Sequence, residues 1–460
     1  MSVEDYGLLA PAWVATGVAE LVDDAALVRA MLDVEVALAE AQAELGVIPG
    51  SAAAAIRAAA VPGSVDVAVV AAGVRETGNP VVAFVGEFTR AVGVVDPAAA
   101  EYVHRGGTSQ DILDTALVLL CRGVLERVER DLLVCAEGLA GHAGRYRDTP
   151  MAGRTLTQHA VPVTFGLKVA TWLQLVLDAV ERVRRARAGL PVSVGGAAGT
   201  LAAYREYAGD PVDATVRLPG LVAARLGLVG RVFPWHGVRT PVVDVAAALL
   251  VTTGALGKLA ADVLVLSRTE IGEVSQQRVP GRGVSSAMPQ KHNPVLATLV
   301  ATAARQVPPV ALVVFQSMVV EDERSSGGWH AEWQPLRECL RITAGAAANA
   351  ARLVGALRVS AETMAANLRL TRGAIVSERV MVALTPLLGR GQAKRLLAEA
   401  TADTERTGTD LAHTLATALK EAGVSGPDLS DLLDPTGYTG ISGPLVDTTL
   451  ARFTHLKEPQ

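Results

Sequence analysis

From Asp23 to Leu45 apolar residues recur at Leu27, Met31, Val34, Ala37, Leu38, Ala41 and Leu45, and Gly46 closes the run. Spacings of three, four and seven place these side chains on one face, so the pattern predicts a long amphipathic helix. Ala/Gly-rich turns and shorter helical pieces follow as far as Tyr102, with no alternating strand pattern of any length. Leu113, Leu117, Leu120, Val124 and Val128 predict a second long helix to about Tyr146, and another apolar run predicts a third from Phe165 to about Arg187. From Val242 to about Glu273, Leu249, Leu256, Leu259, Val263 and Leu266 form a seam of the kind that packs helix bundles. Further helices are expected from Pro294 to about Arg305, from Leu312 to Glu323, and up to about Leu353. A C-terminal helical region should then run from Val359 through Ala422.

Three polar stretches interrupt this pattern. Pro280 to Val295 crowds Ser285, Ser286, Lys291 and Asn293 into a loop punctuated by Gly281, Gly283, Pro289 and Pro294. Glycines loosen such a loop and prolines stiffen it, a composition suited to a flap that places its polar groups reproducibly. Asn293 before Pro294 reads as an N-cap followed by the first helical residue. Lys291 then lies near the positive end of a helix, where an anion is held by charge and free N–H groups together. Earlier, His104-Arg105-Gly-Gly-Thr108-Ser109-Gln-Asp111 leads into a Thr-x-x-Asp capping box, a second place for an anion. The third stretch, Gly153 to Pro162, carries Gln158 and His159 ahead of an apolar helix, where buried polar groups require partners. Taken singly, each stretch is also what an ordinary capped loop looks like.

Half of the 460 residues are apolar but only 4% are aromatic, which suits close-packed helices of Ala, Val and Leu. The length favours two to three domains or one elongated helical body. A net charge of −5, with basic residues dispersed among acids, does not point to nucleic acid. Cys121, Cys135 and Cys339 show no metal-ligand spacing and fit a reducing compartment. Met1-Ser-Val-Glu-Asp has no signal-peptide pattern, and the apolar Val245–Gly257 segment is too short for a bilayer, so a cytoplasmic protein with no membrane partner is expected. The glycines around Leu190 to Leu201 lack the strand-to-helix setting of a nucleotide loop.

Read together and in order, Gly106-Gly-Thr108-Ser109-Gln-Asp111, Thr155-Leu-Thr-Gln158-His-Ala160 and Ser285-Ser286-Ala-Met-Pro-Gln-Lys291-His-Asn293-Pro294 resemble the three signature regions of the fumarase/aspartase superfamily. Further stretches, including Pro191 to Thr200, Pro234-Trp-His236 and Gly328-Trp-His-Ala-Glu-Trp333, are most similar to the bacterial 3-carboxy-cis,cis-muconate cycloisomerases. Leu156 stands where adenylosuccinate and argininosuccinate lyases carry a catalytic histidine, which argues against those substrates.

The resemblance implies an all-α fold with an N-terminal helical domain (1–107), a central long-helix bundle (108–357) and a C-terminal helical domain (358–460). It further implies a cytoplasmic homotetramer whose active sites draw one stretch from each of three subunits, a small di- or tricarboxylate substrate, and no metal or organic cofactor. Ser285 takes the place of the catalytic serine, which moves a proton on the carbon next to a carboxylate. Lys291 and Asn293, with Ser286 adjacent, would hold one carboxylate, and Thr108, Ser109 and Gln158 another. Arg324 is a weaker candidate for a third, and either His104 or His159 would shuttle a proton.

The activity implied first is interconversion of 3-carboxy-cis,cis-muconate and its lactone in aromatic catabolism. Val284, in place of the glycine usual before the serines, and Arg105, an added cation, leave room for another substrate. The alternative is a lyase that releases fumarate from a substituted succinate such as nitrosuccinate or an N-substituted aspartate. More remote is a non-catalytic scaffold sharing the fold.

Overall fold

The structure, a computed structural model, describes residues 7–209, 212–283 and 287–457. Its secondary structure is overwhelmingly helix with very little sheet, as expected. The N-terminal part comprises α1 (Asp24–Glu44), α2 (Gly50–Ala59), α3 (Val67–Thr77) and α4 (Val81–Val95). Long helices follow: α5 (Ser109–Arg145), α6 (Phe165–Ala188), α9 (Thr240–Leu266), α10 (Val295–Gln316) and α11 (Gly328–Gly355), with short α7 (Ala202–Tyr207) and α8 (Val212–Leu226) between α6 and α9. The C-terminal helices are α12 (Ala361–Leu368), α13 (Ser377–Leu388), α14 (Arg390–Thr407), α15 (Leu411–Glu421), α16 (Leu429–Leu432) and α17 (Ser442–Lys457).

The chain forms two compact units, each assembled from separated segments. One comprises residues 1–133, 178–257 and 299–350, the other 134–177, 258–298 and 351–460. In the second, Val376, Val380, Leu384, Leu411 and Leu415 centre the core built by the C-terminal helices.

Helix α1 shows how the sequence pattern becomes architecture. Asp23 caps it, accepting the Ala26 N–H at 2.6 Å. The expected apolar face, Met31, Val34, Ala37, Leu38 and Ala41, is buried. The same helix buries two polar residues seven apart, Glu35 and Gln42, and both serve the loop that precedes α5.

Three expectations need correction. The stretch before α6 is a β-hairpin, β1 (Pro150–Thr155) paired antiparallel with β2 (Gln158–Thr164), so Gln158 and His159 lie on a strand. Its two-residue turn, Leu156 and Thr157, adopts positive φ at both positions (48° and 73°), a conformation normally given to Asn-Gly. Second, the predicted break between Arg305 and Leu312 is absent: α10 runs on through Pro308 and Pro309. Two lost N–H donors weaken a helix, but Val307, Ala311 and Val314 are fully buried around them, and that packing outweighs local propensity. The expected Leu312–Glu323 helix accordingly ends at Gln316. Third, α9 is 27 residues long, so both it and α10 have the length and composition to cross a membrane. Length is therefore no argument against a span. Half of the apolar window of α9 and a third of that of α10 are packed within the chain.

Candidate active site

The loop before α5 is held from beneath. Glu35, 2% exposed, accepts the His104 backbone N–H at 3.1 Å and faces its Nδ1 at 2.7 Å. Gln42 donates to the Arg105 carbonyl at 2.8 Å. Burial by itself lowers the His104 pKa, but the Glu35 carboxylate outweighs it and the net shift is upward. The Arg105 guanidinium lies between two rings, 4.4 Å from Tyr102 and 4.7 Å from Tyr207.

A raised histidine pKa carries a stability consequence whose sign is fixed. The contribution of the His104–Glu35 pair is fully present below the unfolded histidine value and is lost as pH rises through the folded value. Urea midpoints of wild type and Glu35→Gln should therefore differ most in mild acid and converge on the alkaline side of neutrality. A difference that grows with pH would contradict the pairing.

The capping box forms by half. Asp111 accepts the Thr108 N–H at 3.2 Å, but the Thr108 hydroxyl accepts from Arg324 Nη2 at 2.8 Å. Arg324 also donates from Nε to Gln110 Oε1 at 3.0 Å and from Nη2 to the Ala197 carbonyl at 3.3 Å. Neutral oxygens hold this cation, and no carboxylate pairs with it among the described residues, an arrangement ready for an anion. The weaker sequence candidate is thus the residue brought directly to Thr108.

Beneath them lie two buried carboxylates, Asp111, which the sequence shows only as half of a capping box, and Asp114, which the sequence reading passed over. Asp111 additionally accepts from Gly195 and Gly196 N–H (2.8 and 3.0 Å), the Tyr204 hydroxyl (3.0 Å) and His236 Nε2 (2.8 Å). A Cβ on Gly195 would come within 2.8 Å of the His236 ring, so only glycine allows this approach. Burial and the adjacent Asp111 raise the Tyr204 pKa, keeping its hydroxyl a donor. One turn on, Asp114 accepts from Arg239 (2.7 and 3.1 Å), Trp329 Nε1 (2.8 Å) and Gln110 Nε2 (3.2 Å). Arg239 also forks onto Glu332, and all three charged side chains are essentially inaccessible to water. Two carboxylates share one guanidinium, and Glu332 responds: burial and Asp114 push its pKa up against the pull of Arg239.

In the other unit, the hairpin is anchored by Arg154, whose fork meets fully buried Glu273 at 3.0 and 2.7 Å. Burial, and secondarily Arg154, lower the His159 pKa, and its Nδ1 is buried with no partner among the described atoms. Gln158 is exposed and donates to Thr157 Oγ1 at 3.3 Å. Ser285 and Ser286, together with Val284, lie outside the described residues. On either side of them the loop is clasped, the Asn293 N–H donating to the Gly283 carbonyl at 3.1 Å. Gly283 has φ 68°, and a Cβ there would meet the Asn293 carbonyl at 2.5 Å. Asn293 is not the cap expected of it: its carbonyl accepts the Val295 N–H at 2.9 Å in a tight turn, and Gln276 accepts the Leu296 N–H in the first turn of α10. Lys291 is exposed, its N–H turned back to the Met288 carbonyl at 3.0 Å.

Residues 11–308 match a family described as lyase, and residues 373–449 match the adenylosuccinate lyase C-terminus. This chain belongs to the fumarase/aspartase superfamily of lyases and is an enzyme. It is 53% identical over 97% of its length to the nitrosuccinate lyase of Streptomyces davaonensis, covering 94% of that protein. To the 3-carboxy-cis,cis-muconate cycloisomerase of Pseudomonas aeruginosa it is 40% identical, over 93% of this chain and 92% of the relative. The solved 3-carboxy-cis,cis-muconate lactonizing enzyme of Pseudomonas putida superposes with a TM-score of 0.90 at 34% identity, covering 98% of this chain and all of that one.

Proposed function

We propose that this enzyme is a lyase that releases fumarate from nitrosuccinate. The observation that carries the reading is the 53% identity to a nitrosuccinate lyase along nearly the whole chain, against about 40% for the cycloisomerases. The alternative activity of the sequence reading is therefore preferred to the first. Muconate cycloisomerisation stands as the second reading, favoured by the likeness to solved lactonizing enzymes.

In the proposed reaction Ser285, as its alkoxide, removes a proton from C3 of nitrosuccinate. The electron pair passes into the neighbouring carboxylate as an aci-carboxylate dianion. Its return forms the C2–C3 double bond, and the C2–N pair leaves with nitrite. Lys291 and Asn293, with Ser286 beside them, hold the carboxylate that takes up charge, stabilising what develops in the transition state. Thr108, Ser109 and Gln158 hold the other carboxylate, and Arg324, fixed by Gln110, adds the cation. His159 is assigned the proton relay, since its lowered pKa keeps it neutral and its Nδ1 is uncommitted. His104, held by Glu35, contributes positive charge with Arg105. A cytoplasmic homotetramer is part of the proposal: its residues are divided between two units, and α10 leaves most of its apolar window for a partner to cover.

The test is stoichiometry. With nitrosuccinate, fumarate by ultraviolet absorbance and nitrite by diazo coupling should appear one to one. Absence of both would remove this reading, and loss of 3-carboxymuconate absorbance instead would establish the second.

A further inference from the structure

Gln110, at the start of α5, is completely buried, and both polar atoms of its side chain are engaged. Nε2 donates to Asp114 Oδ2 at 3.2 Å and to the His236 carbonyl at 3.1 Å, while Oε1 accepts the Arg324 Nε–H at 3.0 Å. A primary amide has an acceptor end and a donor end of nearly equal shape, so partners decide which way it points. Two acceptors, one of them a carboxylate, claim the nitrogen here, and the oxygen is the end that Arg324 meets. Turned over, the amide would set its NH₂ against a guanidinium and its oxygen against Asp114.

Arg324 is held without being neutralised. Its Nη2 reaches Thr108 Oγ1 and the Ala197 carbonyl, its guanidinium lies 5.8 Å from the Trp329 ring centroid, and Nη1 has no partner among the described residues. Glu321, Asp322 and Glu323 precede it in the chain, but all three are exposed and none pairs with it among the described residues. Other arginines of the enzyme show the contrasting arrangement. Arg239 is closed by buried Asp114 and Glu332, and Arg154 by buried Glu273. Where those side chains meet a carboxylate, Arg324 meets an amide.

We propose that Gln110 is a positioning residue of the lyase, and that the neutrality of its amide keeps Arg324 open to a carboxylate of the substrate. A glutamate of the same size would take Nε in a charged pair and satisfy the cation inside the protein. The inference rests on Arg324 serving as a substrate cation, as in the proposed reaction, and is indifferent to which leaving group is expelled.

Calorimetric binding of succinate and of its monoamide, succinamate, to the intact enzyme tests this. The two ligands are alike in size and differ by one negative charge, and neither carries a leaving group. Wild type should prefer succinate at least about tenfold, the worth of a hydrogen bond between charged groups. In Gln110→Glu, measured on the alkaline side of neutrality so that the introduced carboxyl is ionised against burial and Asp114, the preference should fall below about threefold. Succinamate can then place its amide where the cation is already paired, whereas a structural lesion alone would weaken both ligands and leave their ratio. Gln110→Met adds no buried charge and guards against a fold defect in the glutamate variant. It should keep the preference but bind succinate at least about fivefold more weakly, because Nε is no longer held. A wild-type ratio in Gln110→Glu, or wild-type succinate affinity in Gln110→Met, overturns the role of Gln110. Absence of any preference in wild type overturns the anion seat and this inference with it, while the lyase reading stands or falls separately on release of fumarate.

Discussion

Replacing Ser285 by alanine should lower kcat on nitrosuccinate by about 10²–10⁴-fold while KM changes little, because proton transfer by a positioned side chain contributes on that scale. The register of Ser285-Ser286-Ala-Met-Pro-Gln-Lys291-His-Asn293-Pro294 puts Ser285 in the place of the catalytic serine, and the clasp between Gly283 and Asn293 brackets that segment. A serine is a poor base unless its oxyanion is stabilised, so Lys291, six positions on in the same loop, is part of the same prediction. Lys291→Met should raise KM for a dicarboxylate as well as lower kcat. Steady-state kinetics followed by fumarate absorbance decide both. A Ser285→Ala enzyme within about threefold of wild type would leave the proton without its acceptor and remove the mechanism.

The second large effect is on stability. Asp114→Ala should destabilise the fold by about 3–5 kcal/mol, the usual consequence of removing one partner from a buried ion pair. Against a typical total of about 5–15 kcal/mol this is a large fraction. Asp114 is wholly buried and accepts from Arg239, Trp329 and Gln110, so its loss takes the acceptor of the Trp329 indole and leaves the buried Arg239 with one carboxylate, Glu332, in place of two. Since Gln110 is also the strut under Arg324, the surviving folded fraction should bind dicarboxylate weakly. Urea denaturation checks the first part. Replacing Asp114, Arg239 and Glu332 together by apolar residues of similar volume should cost less than Asp114→Ala alone, because no uncompensated charge remains. A neutral Asp114→Ala would mean the network is not a support.

Much of the helical fold was legible in advance, for a physical reason. Periodicity is a local property, and α1, α5 and α6 begin and end within a residue or two of where the apolar spacing and caps put them. What failed was local evidence overruled by distant contacts. Pro308 and Pro309 argue for a break, but the fully buried Val307, Ala311 and Val314 carry α10 through. The β1/β2 hairpin was missed because its turn is Leu156-Thr157 rather than Asn-Gly, and a register shift between Ala152 and Arg154 spoils the alternation of β1.

The site divides in the same way. Thr108 and Arg324 could be singled out from their motifs, yet nothing in the chain joins residues 216 positions apart, so the bond between them was invisible. Asp111 was noticed only as half of a capping box. Its work is to gather Gly195, Gly196, Tyr204 and His236 from far along the chain. Asp114 lies outside every motif, and Arg239 and Glu332, the latter within Gly328-Trp-His-Ala-Glu-Trp333, carry no sign in the sequence that they pair with it. A charged residue within an apolar helical run is the signal that was available, since such a group is buried only when paired. Arg105, expected to add a cation beside the anion seat, has its guanidinium held against the rings of Tyr102 and Tyr207, contacts the sequence pattern does not show.

The central claim, that this enzyme expels nitrite from nitrosuccinate to leave fumarate, is tested most directly by kcat/KM for nitrosuccinate and for 3-carboxy-cis,cis-muconate on the same wild-type preparation. The account predicts a ratio of at least about 10² in favour of nitrosuccinate, the discrimination expected when a site's polar groups are matched to one substrate. A ratio inverted in favour of the muconate would contradict it.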